Sequence, residues 1–433
     1  MRLLLFCEVY SVLTFTTTKF EARIVHQAAG KVLTTLEIHC ENNCNNNASA
    51  PIQGAPFFSI VMPCYQAQDC IERALECVQA QTFADWELIV VDDCSPDSSG
   101  EIAEEFATRD QRIKVVHHGE NEGLAAARNT GILQARGHYV WMPDADDIYD
   151  KDLLESVYAA ILQAGNIDIV LFGHTEEYYN ENGAFLYSHQ LPLQPGTYDS
   201  PETWHSKVVE FERTTHYGYA WNKIYKLSRT RALDLSFEQV KLIEDISFNV
   251  AYFQDAQSLA VIAGTPYHYT KRQGKSLTNA NDYSSSEYLA LHQQRIRLLY
   301  NQLESWNVLD SAARSTLGAL YGRYVLSALE RQCSTQENLT HKERRARCKK
   351  LYEDALFGEL IEYAHAQSAS LKVCLSYLKR ATLRQSLRWR ASFILRTSMP
   401  TRCSLARGRK DRKAEVYDAT RYAPRFEYCC SSL

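Results

Sequence analysis

The sequence predicts an α/β fold, a mostly parallel sheet followed by a helical C-terminal region. Two observations lead there. From Phe57 onward, short apolar runs such as Phe58-Ser-Ile-Val-Met62 and Trp86-Glu-Leu-Ile-Val-Val91 alternate with segments of helical spacing. Strand alternating with helix at this interval implies parallel βαβ units, whose right-handed crossovers put every strand's carboxyl end on one edge. The second observation is that acidic residues gather at those ends: Asp92-Asp93 after the second run, and Asp144, Asp146 and Asp147 after Tyr139-Val-Trp-Met142.

Taken in order, the strand at Phe58–Met62 is closed by Pro63, and Ile71 to Gln81 places Ile71, Leu75 and Val78 at helical spacing. The strand at Trp86–Val91 ends in the turn residues Ser95-Pro-Asp97. A helix at about 98–108, a strand at 113–117 and a helix at 124–135 lead into the strand before Asp144, then a helix at 151–163 and a strand at 167–173. The segment 175–197 is rich in Tyr, Asn, Gly and Pro and reads as a hairpin or loop over the site. Helices are expected at 204–211, 229–233 and 244–253 and a strand at 256–263, and from Ser284 the pattern is predominantly helical. This divides the chain into a disordered or atypical N-terminal extension (1–55), an α/β domain (56–280) and a helical region with a basic tail (281–433).

The chain has 433 residues, 45% hydrophobic and 23% charged, enough for two or three domains with cores of their own. Its net charge of −5 conceals an asymmetry: from Tyr363 to Lys410 there are eleven Lys and Arg and no Asp or Glu. Thirteen cysteines follow no repeated spacing, which argues against a zinc site and for a reducing compartment. Glu8 interrupts the opening apolar run, so a secretory leader is not expected, and no apolar stretch reaches the ~18 residues of a spanning helix. The expected location is cytoplasmic, with peripheral contact on the inner face of a membrane as an option.

Three strand ends bear on one crevice: Pro63-Cys-Tyr65, Asp92-Asp93 and Asp144-Ala-Asp-Asp147. An aromatic ring and a carboxylate on adjacent strands can hold a nucleobase by stacking and by accepting its N–H. The acidic group can hold a divalent cation on a diphosphate, because Mg²⁺ is normally shared between carboxylates and phosphate oxygens. The plainer alternative is a capped turn, with Asp147 or Asp150 at the start of the next helix. The glycine patterns of P-loop NTPases and dinucleotide oxidoreductases are missing.

The chain resembles the family 2 glycosyltransferases of the GT-A fold. The resemblance is carried by Ser59-Ile-Val-Met-Pro-Cys-Tyr65, by Gln81-Thr-Phe-Ala-Asp-Trp-Glu-Leu-Ile-Val-Val-Asp-Asp-Cys-Ser95, by Asn121-Glu-Gly-Leu-Ala-Ala-Ala-Arg-Asn-Thr-Gly-Ile132, and by Gly137 to Asp147. It implies inverting transfer of a hexose or N-acetylhexosamine from a UDP-sugar to a glycan or lipid-linked acceptor, in surface polysaccharide assembly, with Mn²⁺ or Mg²⁺. Pro63 and Tyr65 would line the uridine pocket and Asp93 would accept from uracil. Arg128 would approach the pyrophosphate, with Gly123 permitting close backbone approach. Asp144 and Asp146 form the family's DxD element, Asp146 being the stronger candidate for direct metal contact. Cys94 stands where the family usually has Gly.

Downstream, the resemblance makes Asp245, beside Glu244, the general base that takes the acceptor's proton. Acidic residues also favour a helix start, so position alone leaves both readings open. Trp221-Asn-Lys223 resembles a segment bordering the acceptor, with a core Trp as the alternative. Tyr267 to Ser276 resembles a closing loop in which Thr270 replaces the usual Arg, so Lys271, Arg272 or Lys275 would supply charge to the diphosphate; His268 is either a metal ligand or structural. Gln385-Ser-Leu-Arg-Trp389 matches a processive-synthase signature but lies too far from Asp245, and is read as coincidence. Leu371 to Leu395 can form a basic amphipathic helix, suited to an anionic membrane or to packing on the body; nucleic acid is not expected. The rivals of other classes are a sugar-phosphate nucleotidyltransferase and a non-catalytic sugar-nucleotide-binding protein.

Overall fold

The computed structural model describes residues 54–240, 243–272, 284–332 and 339–365, with 372, 375 and 376. The extension as far as residue 53, the closing-loop residues beyond Arg272, the Gln385–Trp389 match and most of the basic tail lie outside the described residues.

The chain opens with β1 (Phe58–Cys64), α1 (Ile71–Gln79), β2 (Trp86–Asp92), α2 (Ser99–Arg109), β3 (Ile113–His117), α3 (Leu124–Gln134) and β4 (Tyr139–Trp141). Strands β1 and β2 are buried along their whole length, as their largely apolar runs suggest, with Ser59 and Glu87 buried among them and hydrogen-bonded to each other at 2.7 Å. Their side chains alternate between two cores. Ile60, Met62, Leu88 and Val90 join the core under α1 and α2, whereas Val61, Ile89 and Val91 join the core under α3. Helix α3 lies so close to β1 that a Cβ on Gly131 would sit 2.1 Å from Val61 Cγ1. This approach, together with the small buried side chains of Ala125, Ala126 and Ala127, lets the helix settle deep against the sheet.

There follow β5 (Ile148–Tyr149), α4 (Leu153–Ala164), β6 (Ile169–Leu171), β7 (His174–Tyr179), β8 (Phe185–Leu191) and β9 (Gly196–Tyr198). Next come α5 (Pro201–Trp204), α6 (Lys207–Arg213), β10 (Lys223–Lys226), α7 (Leu227–Ala232), α8 (Glu244–Asp255), β11 (Leu259–Val261) and β12 (Tyr267–Arg272). The main sheet has the order β3-β2-β1-β4-β10-β6-β11-β9. It is parallel except that β10 runs antiparallel to both neighbours and β9 runs antiparallel to β11. A second sheet, β5-β12-β7-β8, joins the turn after Asp147 to the β7–β8 hairpin.

Three expectations need correction. The segment at 221–226, read as an acceptor border, contains a strand at the middle of the sheet; its Ile224 and Tyr225 fall into opposite cores, the period-2 signature of a strand. The helix expected at 204–211 is two short pieces interrupted at His205-Ser206. The start of the closing loop, Tyr267 to Arg272, is strand rather than loop, paired along its length with β7.

The helical region comprises α9 (Ser285–Ser305), α10 (Ser311–Gln332), α11 (His341–Glu353) and α12 (Ala355–Tyr363). Ser284 and Glu287 start α9 with a reciprocal capping box. Apolar faces of α9, α10 and α12 extend the α3-side core of the sheet, and Leu375, at the start of the expected basic helix, is buried there too. Among the described residues no helix is long and apolar enough to cross a membrane.

Candidate active site

The crevice opens at the carboxyl ends of β1, β2 and β4. Pro63 is buried near the end of β1, and Tyr65 just beyond it is 46% exposed. Asp93 is buried, and its carboxylate receives the backbone N–H groups of Glu122 at 2.9 Å and Gly123 at 2.7 Å. His118 Nδ1 lies 2.7 Å from the same carboxylate, and its Nε2 is 2.9 Å from Thr130 Oγ1. Asp93 therefore pins the loop that starts α3. Gly123 sits there at φ +93° with open space where a Cβ would be, room for a ligand at the helix N-terminus. Cys94 adopts φ +58°, so the turn keeps the glycine-like conformation without the glycine.

Arg128, one turn into α3, is 1% exposed. Its Nη2 donates to Asp144 Oδ1 at 2.9 Å and its Nη1 to Asp245 Oδ1 at 2.5 Å, with Glu244 Oε1 at 3.5 Å. Residues from β4, α3 and α8 thus meet at one guanidinium, which also lies 5.3 Å from the centre of the Phe237 ring. One cation faces three carboxylates. Burial pushes Asp144 up to about 6, with Arg128 pulling down against it and Asp146 and Asp245 pushing further up. Burial, then the neighbouring Asp245 charge, pushes Glu244 up to about 7. Burial works against the charge of Arg128, but the carboxylates outweigh it and hold the guanidinium above its ordinary value.

Within the acidic stretch the three side chains separate. Asp146 is exposed at the residue level, yet the protein around its carboxyl still raises it by desolvation, with Arg272 and Arg73 pulling the other way. Asp144 is partly open to the crevice. Asp147 is fully buried, receiving the Tyr267 hydroxyl at 2.6 Å and the Thr270 N–H at 2.7 Å; it ties the turn to β12 and caps no helix. Tyr267 Oη in turn accepts the Asp144 N–H at 3.2 Å. Among the described residues no three His, Cys, Asp or Glu side chains converge as a complete metal site. Two carboxylates, one exposed and one half-open, nevertheless suit a cation that takes its remaining ligands from a diphosphate and water.

The other expected residues divide. Arg272, at the end of β12, is partly exposed and close enough for its charge to act on the Asp146 carboxyl. Lys271 is bound to Glu176 at 2.5 Å, and Lys275 lies outside the described residues. His268 has Glu177 at 2.9 Å and Asp150 at 3.2 Å on its two nitrogens, a structural arrangement. Trp221, Asn222 and Lys223 do not face the crevice. Trp221 stacks on Tyr267 at 4.4 Å and on Tyr219 at 4.6 Å, and Asn222 and Lys223 are wholly buried, so the three form the crevice's backing. An acceptor-facing role expected for them is corrected by this burial.

Sequence reasoning missed three participants. Arg73, on α1, acts with Arg272 on Asp146, and its buried Nε has no hydrogen-bond partner among the described residues. Its signal was the single cation on the helix just after β1. His118 could have been found as a histidine at the end of β3 opposite Asp93. The Ala220 N–H, which donates to Asp245 Oδ2 at 3.0 Å, is a backbone group and has no signature.

A family model described as Glycosyl transferase family 2 matches residues 59–198, the stretch holding Asp93, Arg128 and the Asp144–Asp147 turn. Over that stretch the chain is similar to this family. The glycosyltransferase EpsJ of Bacillus subtilis, itself described as uncharacterized, is 31% identical over 224 residues, 52% of this chain and 63% of that protein. The putative glycosyltransferase EpsH of the same organism is 34% identical over 220 residues, 49% of this chain and 60% of that one. The chain thus spans about three fifths of the length of those relatives. A crystal structure of S. aureus TarS 1-349 in complex with UDP-GlcNAc matches with a TM-score of 0.52 at 20% identity, covering 76% of this chain and 93% of that one. That likeness establishes the GT-A fold.

Proposed function

We propose that this chain is an inverting family 2 glycosyltransferase, passing a hexose or N-acetylhexosamine from a UDP-sugar to a glycan or lipid-linked acceptor during surface polysaccharide assembly. The observation that carries the reading is the meeting of Asp144, Asp245 and Glu244 at Arg128, beside the open carboxylate of Asp146. It sets Asp144, one of the metal-type acidic pair, on one arm of a cation and the base-type pair Glu244 and Asp245 on the other, an arrangement suited to transfer from a nucleotide diphosphate. The TarS structure holds UDP-GlcNAc, and a relative 43% identical over 100 residues, covering 23% of this chain and 40% of that protein, is described as a putative teichuronic acid biosynthesis glycosyltransferase.

In this reading Tyr65 and Pro63 flank the uridine and Asp93 accepts from its ring. Asp146 and Asp144 hold Mn²⁺ or Mg²⁺, which when bound would neutralise the diphosphate leaving group. Arg272 addresses the phosphate oxygens, Arg being well shaped for them, while the buried Arg128 lends its charge toward the diphosphate from behind Asp144. Asp245 takes the acceptor hydroxyl's proton as that oxygen attacks the anomeric carbon from the face opposite UDP, and Glu244 shares the charge of the cluster. Peripheral docking of the basic tail on an anionic membrane fits a lipid-linked acceptor.

The test is a thermal-shift screen of UDP- and GDP-sugars with and without Mn²⁺, followed by assay of the stabilising donor. A donor that binds the native state alone raises the melting temperature. Asp146→Asn should abolish the metal-dependent part of the shift, and Asp245→Asn should retain the shift and lose transfer. Full transfer in either folded variant would overturn its assigned role, and failure of every nucleotide sugar would overturn the proposal.

A further inference from the structure

Lys223 is a buried amine with no acidic partner in contact among the described residues. It is wholly buried, yet its Nζ donates to the carbonyls of His216 at 2.6 Å and Tyr219 at 2.5 Å, and to Asn222 Oδ1 at 2.8 Å. Three acceptors satisfy the three donors of an ammonium, although burial pushes the amine well below its ordinary value. Placing such a group in a core is unfavourable unless its hydrogen bonds are complete, and here two of the three end on one loop.

That loop, residues 216–220, lies between α6 and the start of β10. A second buried side chain holds it as well: Asn249 Nδ2 donates to the carbonyls of Tyr217 at 2.9 Å and Tyr219 at 3.0 Å. Asn249 lies one turn along α8 from Asp245, so the helix that carries the candidate base also grips this loop. From the other side, α9 of the helical region closes over it. Tyr217 donates to Gln302 Oε1 at 2.6 Å, and a Cβ on Gly218 would come within 2.6 Å of an Arg295 nitrogen. The N–H that the loop delivers to the crevice is that of Ala220, on Asp245 Oδ2 at 3.0 Å.

We infer that Lys223 is a positioning residue for the transfer: with Asn249 it holds residues 216–220 so that the Ala220 N–H fixes the carboxylate of Asp245. This inference rests on the reading of Asp245 as the base. With Arg128 on one oxygen and Ala220 on the other, the carboxylate has a single orientation toward the crevice. A loop released from Lys223 leaves the side chain free to turn, and a misplacement of about 1 Å at a reacting group is worth on the order of 100-fold in rate.

The test compares Lys223→Met, which keeps the length of the side chain without its donors, with Gly218→Ala, which presses on the loop from the Arg295 side, and with Asp245→Asn. Three quantities are read: amide hydrogen exchange over 216–221, the dissociation constant of UDP with Mn²⁺, and UDP release from the donor found in the screen above. Lys223→Met should lose about 10-fold or more in protection over 216–221 and about 10- to 100-fold in kcat, with UDP affinity within about 2-fold of the wild type. Gly218→Ala should show the same pattern in smaller degree. Retained protection in folded Lys223→Met, or lost protection with an unchanged kcat, would overturn the inference. If Lys223→Met does not fold, wild-type protection or wild-type kcat in Gly218→Ala would do so. Full transfer by Asp245→Asn would instead remove the base assignment, an outcome distinct from an inactive Asp245→Asn beside an unaffected Lys223→Met.

Discussion

The hydroxyl of Tyr267 donates to Asp147 Oδ2 at 2.6 Å and accepts the N–H of Asp144, joining the acidic turn after β4 to the first residue of β12. Tyr267 and Asp147 are both fully buried, and burial pushes the Asp147 carboxyl well above its ordinary range. Replacing Tyr267 with Phe removes the donor and leaves the carboxyl with the Thr270 N–H. The expected loss is about 1–3 kcal/mol of unfolding free energy, read by denaturant titration. UDP affinity should fall as well, because the turn that carries Asp144 and Asp146 loses its tie.

Arg128 is the cation on which three carboxylates converge, so its charge and its shape are separable by substitution. Arg128→Met should destabilise the ligand-free protein by about 3–5 kcal/mol, since a buried charge cluster is left without its partner. Arg128→Lys restores a charge but not the fork that reaches Asp144 and Asp245 together. Its melting temperature should recover most of the loss while transfer stays depressed; equal recovery of both would contradict the bridging role.

The cluster also sets a pH dependence. Glu244 rises from 4.5 to about 7 on folding and Asp144 from 3.8 to about 6, burial being the largest cause in each. An acid raised in this way holds its proton more tightly when folded, so its contribution favours the folded state at low pH and is lost as pH climbs through the folded value. The stabilising contribution of these two acids should therefore fall as pH rises through the window from about 4 to 7, against the opposite trend of the buried His174, His216 and His292. It is read as the difference in melting temperature between the wild type and a Glu244 variant. Glu244→Gln should remove its share, so that the difference from the wild type changes across the window; a difference that stays constant with pH would show that the proton is held elsewhere.

Gly123 combines φ +93° with an N–H bound to Asp93. Gly123→Ala forces an L side chain into a conformation that costs about 1–3 kcal/mol. Isothermal titration with UDP should show weakened binding from displacement of the α3 N-terminus, whereas an alanine variant with unaltered UDP affinity would mean that this backbone does not approach the nucleotide.

The parts of this site that run along one strand or helix were legible in the sequence. Strand ends β1, β2 and β4, the Arg128 helix and the start of α8 all follow from apolar runs and from acidic residues in fixed local order. What escaped depends on where distant segments land. Trp221-Asn-Lys223 resembles a family segment that borders the acceptor, but β10 threads between β4 and β6 and these side chains are buried. Arg73 and His118 became site neighbours only through packing of α1 and β3 against the crevice. The separation of Asp147 from Asp144 and Asp146 required knowing that Tyr267 arrives beneath the turn.

The antiparallel β10 has a consequence for synthesis of the protein. Strand β4 ends at Trp141, and the partner on its open side, β10, begins at Lys223, so roughly eighty residues must emerge before that edge is covered. At ribosomal rates of about 5–20 residues per second the nascent chain exposes the half-built sheet for roughly 4–16 s. Throughout that interval the acidic turn stands at the rim of an unfinished edge. Arg128 has emerged by then, but Asp245 has not, so the charge cluster assembles only after the sheet has closed around β10.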